Sequence, residues 1–162
     1  MKRDKKRLEE ALAAAISDTV ESMVFEQCYS LSEEGDEDDV GFNPAVDDIW
    51  VSTPFLAPCE GSLSVTMSQE SATTIAMGVL GEVDGILAAG RIQDTLLEIL
   101  GAAAAELAGN LFGPGKSFEF GQPVAGEGIP PDLNEALLVL DFRVGDNVIQ
   151  VSLTGSDFEK FT

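Results

Sequence analysis

The stretch Arg91–Phe112, RIQDTLLEILGAAAAELAGNLF, constrains the fold most, because it is the longest uninterrupted helical pattern in the chain. Ile92, Leu96, Leu100, Ala103, Leu107 and Leu111 recur at steps of three and four, which gathers them into one buried stripe. Asp94, Glu98, Gly101, Ala102, Ala105 and Gly109 project within about 100° of one another on the opposite side. An ordinary solvated helix carries Lys, Gln and Glu there, and this face is nearly bare. A glycine inside a helix costs roughly 1 kcal/mol relative to alanine. Two on one face therefore imply either the close approach of another backbone or packing against the chain's own sheet.

A chain of 162 residues that is 44% hydrophobic can bury one good core, and one domain spanning residues 1–162 is expected. The net charge is -20, from 29 acidic against 9 basic residues. Lys2, Arg3, Lys5, Lys6 and Arg7 crowd the start, and no Lys or Arg follows from Leu8 to Gly90. Such a surface repels phosphate backbones and anionic lipid, so neither nucleic acid nor a membrane is an expected partner. No segment is long and apolar enough to span a bilayer, and Glu9 and Glu10 interrupt the apolar run that would make a signal peptide. Cys28 and Cys59 lack metal-ligand spacing, and the chain contains no His. No metal site is expected, His-dependent nucleophile schemes are excluded, and reduced thiols in a cytoplasmic setting are the default.

Other elements follow from local signals. Lys5–Val24 reads as a second long helix with Leu8, Leu12, Ala15, Ile16, Thr19, Val20 and Met23 on its apolar stripe, packed beside the first. Phe25–Leu31 reads as a short strand, and residues 32–48 as a solvated loop holding eight acids. Ile49–Phe55 and Gly61–Met67 read as a hairpin. Ser68 caps a helix over Gln69–Leu80 that ends at Gly81. Residues 117–121 form a short strand, residues 126–136 a loop, and Leu137–Val144 with Val148–Thr154 a hairpin around Gly145-Asp146-Asn147. Antiparallel hairpins alternating with helices predict a two-layer α+β domain. The order helix, two strands, helix, then helix and three strands suggests two similar halves, and Ser17-x-x-x-Glu21 faintly echoes Asp94-x-x-x-Glu98.

Two motif readings fail on their own terms. Gly115-Lys116-Ser117 resembles the end of a phosphate-binding loop, but the leading glycine falls at Asn110 and the helix precedes the motif. Asp36, Asp38, Val40, Gly41 and Asp47 match positions of a calcium loop, yet Val40 has no ligand oxygen and Asp47 replaces the bidentate Glu. Glu106 and Asn110, one turn apart, could form a polar pair, although Asn110 also reads as a helix terminator beside the core stripe.

Asp94-x-x-x-Glu98-x-x-Gly101, followed by Phe118-Glu119-Phe120-Gly121-Gln122-Pro123, resembles the signature of the CheC/CheX/FliY chemotaxis phosphatases: Asp or Ser, then Glu four residues on, Asn three further, and a distant Pro. Thr19–Met23, Pro58–Leu63 and Ala76–Glu82 resemble further landmarks, and the likeness covers about Ala11 to Leu153, closest to CheX. It implies a pseudo-duplicated α+β fold and a phosphorylated CheY-type response regulator as partner. It also implies a homodimer joined through sheet edges, and no cofactor of the chain's own, since the receiver supplies Mg²⁺. In that family the Glu engages the receiver's active-site Lys and the Asn positions water for attack on the aspartyl phosphate. Such chemistry asks chiefly for positioning and electrostatics. Here Glu98 is the expected docking carboxylate, with Asp94, Ala102 and Ala105 beside it on the partner-binding face. Gly101 occupies the Asn position and cannot orient water, so an aspartyl-phosphate phosphatase activity is expected to survive at most weakly. The alternative is a non-catalytic interaction or dimerisation module built on the same face.

Overall fold

In this computed structural model, residues 2–24, 26–30, 47–57, 60–81, 89–113, 119–130, 133–155 and 158 are described. Most of the acidic segment 33–48, the Gly115-Lys116-Ser117 stretch and Cys59 lie outside them. The chain runs through α1 (Lys2–Val24), β1 (Cys28–Ser30), β2 (Ile49–Ala57), β3 (Gly61–Met67), α2 (Gln69–Leu80) and α3 (Ala89–Phe112). It continues through β4 (Glu119–Phe120), β5 (Val124–Glu127), a 3₁₀ turn (Leu133–Glu135), β6 (Ala136–Val144) and β7 (Asn147–Thr154).

All strand pairs are antiparallel, in the order β1-β6-β7-β3-β2-β4, with β5 also on β2. The two halves are interleaved. The short strand after α1 joins the second half's hairpin, and the short strands after α3 join the first half's. Their seam is β3 against β7, where Ser64 faces Ser152. The arrangement is the two-layer α+β architecture expected, with the helices on one face of a sheet whose strands alternate apolar-in.

The core lies between the layers. Leu8, Leu12, Ile16 and Val20 of α1 and Ile92, Leu96, Leu100, Ala103 and Leu107 of α3 pack on Val51, Phe55, Leu63, Phe142, Val151 and Leu153. α1 runs toward the sheet end at Val144, since β1 begins there with Cys28 opposite it. α3 runs toward the other end, where β4 pairs with Phe55 and Ala57. The two long helices are therefore antiparallel. α2 is bounded by the expected caps. The Ser68 side chain accepts from the Ser71 N–H, and Gly81 takes φ 70°, a left-handed conformation that glycine adopts without strain.

Several boundaries differ from the sequence reading. α1 and α3 each begin earlier, at Lys2 and Ala89, and β2 continues to Ala57. β1 covers Cys28–Ser30, paired with Phe142–Val144 of β6; Glu26 and Gln27 precede it outside the strand, and Phe25 and Leu31 lie outside the described residues. Val124–Glu127 is a strand, so residues 126 and 127 do not belong to a loop. It forms because β2 presents Ile49–Ser52 as a pairing edge, which no local signal announces.

Candidate functional site on the outer face of α3

Every residue of the predicted core stripe of α3 is buried, together with Thr95, Ile99, Ala104 and Ala108. The Thr95 hydroxyl donates to the Arg91 carbonyl at 2.8 Å, which hides its polar group within the helix. Gly113, at φ 79°, ends α3 by donating its N–H to the Gly109 carbonyl.

The opposite face is open. Asp94, Glu98, Ala102, Ala105 and Gly109 are exposed and Gly101 is half-buried. A Cβ added at Gly101 or Gly109 would meet no neighbouring atom within 4 Å. The chain's own packing therefore does not require these glycines, and the reading in which this face packs on the sheet is overturned. The buried side of α3 faces α1, α2 and the sheet, leaving Asp94, Glu98, Gly101, Ala102 and Ala105 together on the other side.

Glu106 sits at the border of this face, half-buried against α1, and accepts a long 3.5 Å hydrogen bond from the Thr19 hydroxyl. Its pKa is raised above the ordinary carboxylate value by burial and then by the nearby charge of Asp18, while the Thr19 bond opposes the shift. Asn110 is exposed near the end of α3 and α1 supplies Glu106 with its partner, so of the two readings offered for Asn110 the Glu106–Asn110 pair does not form. The sequence reading expected α1 beside α3 but not this contact between Thr19 and Glu106, whose only signal was a carboxylate flanking the core stripe.

A raised carboxylate pKa means that the folded protein holds the proton more tightly than the unfolded chain. That contribution favours folding at pH below the ordinary glutamate value and is lost as pH rises through the folded-state pKa. Glu106→Gln, which keeps an acceptor for Thr19, is therefore expected to be more stable than the wild type at pH 7. The difference should shrink toward zero near pH 3, as read from urea midpoints across the range. A variant less stable at pH 7 would contradict the assignment.

The motif echo in α1 has a different surrounding. Ser17 hydrogen-bonds to the buried Cys28, and Glu21 is exposed nearby. Burial pushes the Cys28 thiol up to about 12, the Ser17 bond pulls it down, and Glu21 adds to the rise. The thiolate is the reactive form, so Cys28 is expected to resist iodoacetamide at pH 8 in the folded protein and to react once urea unfolds it. Rapid alkylation under native conditions would show that β1 opens freely.

Pro123, the distant proline of the sequence signature, lies exposed in the link between β4 and β5, where the Gly121 N–H donates to the Pro54 carbonyl. Among the described residues no group of three or more His, Cys, Asp or Glu side chains is placed to hold a metal ion. No described helix is long and apolar enough to cross a membrane.

No protein-family model and no curated protein matches the sequence. Solved structures match the fold over nearly the whole chain. A CheX from Borrelia burgdorferi, in a complex with CheY, BeF3 and Mg²⁺, superimposes with a TM-score of 0.67 at 20% identity, covering 90% of this chain and 95% of that one. A chemotaxis protein CheX from Desulfovibrio desulfuricans gives 0.68 at 16% identity, covering 92% and 99%. FliY from Thermotoga maritima gives 0.58 at 14% identity, covering 99% and 93%. With its interleaved halves, antiparallel sheet and paired long helices, the chain has the fold of the CheC/CheX/FliY chemotaxis proteins.

Proposed function

We propose that the outer face of α3 docks on a phosphorylated receiver domain of the CheY type and that the protein acts in chemotaxis or a related two-component pathway. The observation that carries this reading is the exposure of Asp94 and Glu98, one helical turn apart, on α3 of a CheX-like fold. The solved Borrelia burgdorferi CheX stands in a complex with CheY. Glu98 serves as the docking carboxylate, Asp94 flanks it, and Ala102 and Ala105 provide a low surface that lets the receiver approach the helix closely. Any Mg²⁺ belongs to the receiver. Gly101 leaves no amide to position water, so dephosphorylation is slow and binding is the main activity.

The test is the decay of labelled phosphoryl-receiver with and without this protein. The proposal predicts binding with weak acceleration, both lost in Glu98→Ala. Undiminished binding by Glu98→Ala would remove the carboxylate from the interface.

A second reading is favoured by the open space at Gly101 and Gly109. The same face then serves as a non-catalytic dimer surface, helix against helix. Its signature is a dimer in light scattering that Ala105→Arg dissociates. A homodimer through the sheet edges, which end in β1 on one side and in β4 and β5 on the other, would instead survive Ala105→Arg.

A further inference from the structure

Away from α3's outer face, α2 and the β6–β7 turn enclose a cleft of about 420 Å³. Val24, Ile75, Gly78 and Val144 form an apolar side, Thr74 and Asn147 add neutral polar groups, and Glu26, Glu70 and Asp146 bring three exposed carboxylates. No Lys or Arg lines it.

Its walls are tied together. The Ser71 hydroxyl of α2 donates to Asn147 Oδ1 at 3.0 Å, and the Asn147 amide reaches back to the Val144 carbonyl at 3.5 Å. The Gly145 N–H donates to the Gln27 carbonyl, which fixes the turn to the α1–β1 link. A cleft held open in this way binds without a large ordering cost.

We propose that this cleft receives a basic side chain, arginine or lysine, presented by a protein partner. Such a side chain pairs an apolar stem with a cationic head, which matches an apolar wall beside carboxylates. Among the described residues the carboxylates are not gathered as metal ligands, so the lining favours a cationic head on an apolar stem over a bare metal ion. The volume falls within the roughly 300–1,000 Å³ range of ligand-sized pockets, ample for one long side chain and its neighbours. The assignment is independent of the receiver reading, since none of the lining residues lies on α3.

The experiment is an amide chemical-shift titration of the full chain with a capped pentapeptide carrying one central arginine. The same peptide with glutamine in that place and free spermidine are titrated alongside. The expected result is saturable shifts at Gly78, Gly145 and Asn147, with about tenfold or greater weakening for the glutamine peptide. The double variant Glu70→Gln, Asp146→Asn should weaken the arginine peptide similarly. Both side chains are exposed, so its amide spectrum is expected to stay native; the single variant Glu26→Gln provides a second check. Shifts that spread over the acidic surface without saturating, equal binding by the glutamine peptide, or tighter binding of spermidine than of the arginine peptide would each overturn the proposal.

Discussion

Gly101→Asn is expected to raise the rate of receiver dephosphorylation by about 10²- to 10⁴-fold, the usual worth of one well-placed catalytic group. The geometry leaves little to oppose it. A Cβ at residue 101 meets no neighbouring atom within 4 Å, so the longer side chain enters open space on the same face as Glu98. A residue three positions after Glu98 lies beside it on the helix surface. Asparagine also costs a few tenths of a kcal/mol less than glycine within a helix, so stability should rise slightly along with activity. The two gains are separable, because Gly109→Asn should bring the helical gain without the catalytic one. If Gly101→Asn folds and binds the receiver yet leaves the phosphate lifetime unchanged, the face bearing Asp94 and Glu98 is a packing surface.

The largest loss of stability is expected from Phe55→Ala. Phe55 is 1% exposed and meets Phe120 and Phe158 edge-on, with ring centroids 5.1 and 5.0 Å apart. It thereby holds β4 and the chain beyond β7 onto the central strands. Truncating a buried phenylalanine removes about 3–5 kcal/mol, a large part of the roughly 5–15 kcal/mol that holds a domain folded. The measurement is the urea unfolding free energy, paired with Phe158→Ala and the double variant. Strong non-additivity is expected because the rings touch. A loss below about 1.5 kcal/mol would mean that the site collapses and refills, contrary to the packing seen.

How much of this was legible in the sequence depended on whether the cause was local. The limits of α2 could be read because Ser68 and Gly81 act within their own turns. The two faces of α3 could be read because periodicity alone sorts Leu96 and Leu100 from Asp94 and Glu98. Strand β5 could not. Val-Ala-Gly-Glu has weak strand preference, and its pairing depends on β2, more than seventy residues earlier; Gly126 is needed there because the Trp50 indole occupies the space a Cβ would take. Similarly, Glu106 has its pKa raised by burial at the helix seam and then by the charge of Asp18, with the Thr19 bond opposing, a setting that no spacing within α3 announces. The site itself was half legible. The sequence placed Asp94, Glu98, Gly101, Ala102 and Ala105 on one face, but whether that face met the sheet or the solvent depended on how α3 seats against β2 and α1.

The central claim is that α3's outer face is the docking surface, and an amide titration of the labelled protein with a Mg²⁺- and BeF3-loaded receiver tests it most directly. The account predicts saturable shifts centred on Asp94, Glu98, Gly101, Ala102 and Ala105, abolished by Glu98→Ala in a protein that remains folded. Shifts centred instead on the edge strand β5, around Val124, Ala125 and Glu127, with α3 unperturbed, would contradict it.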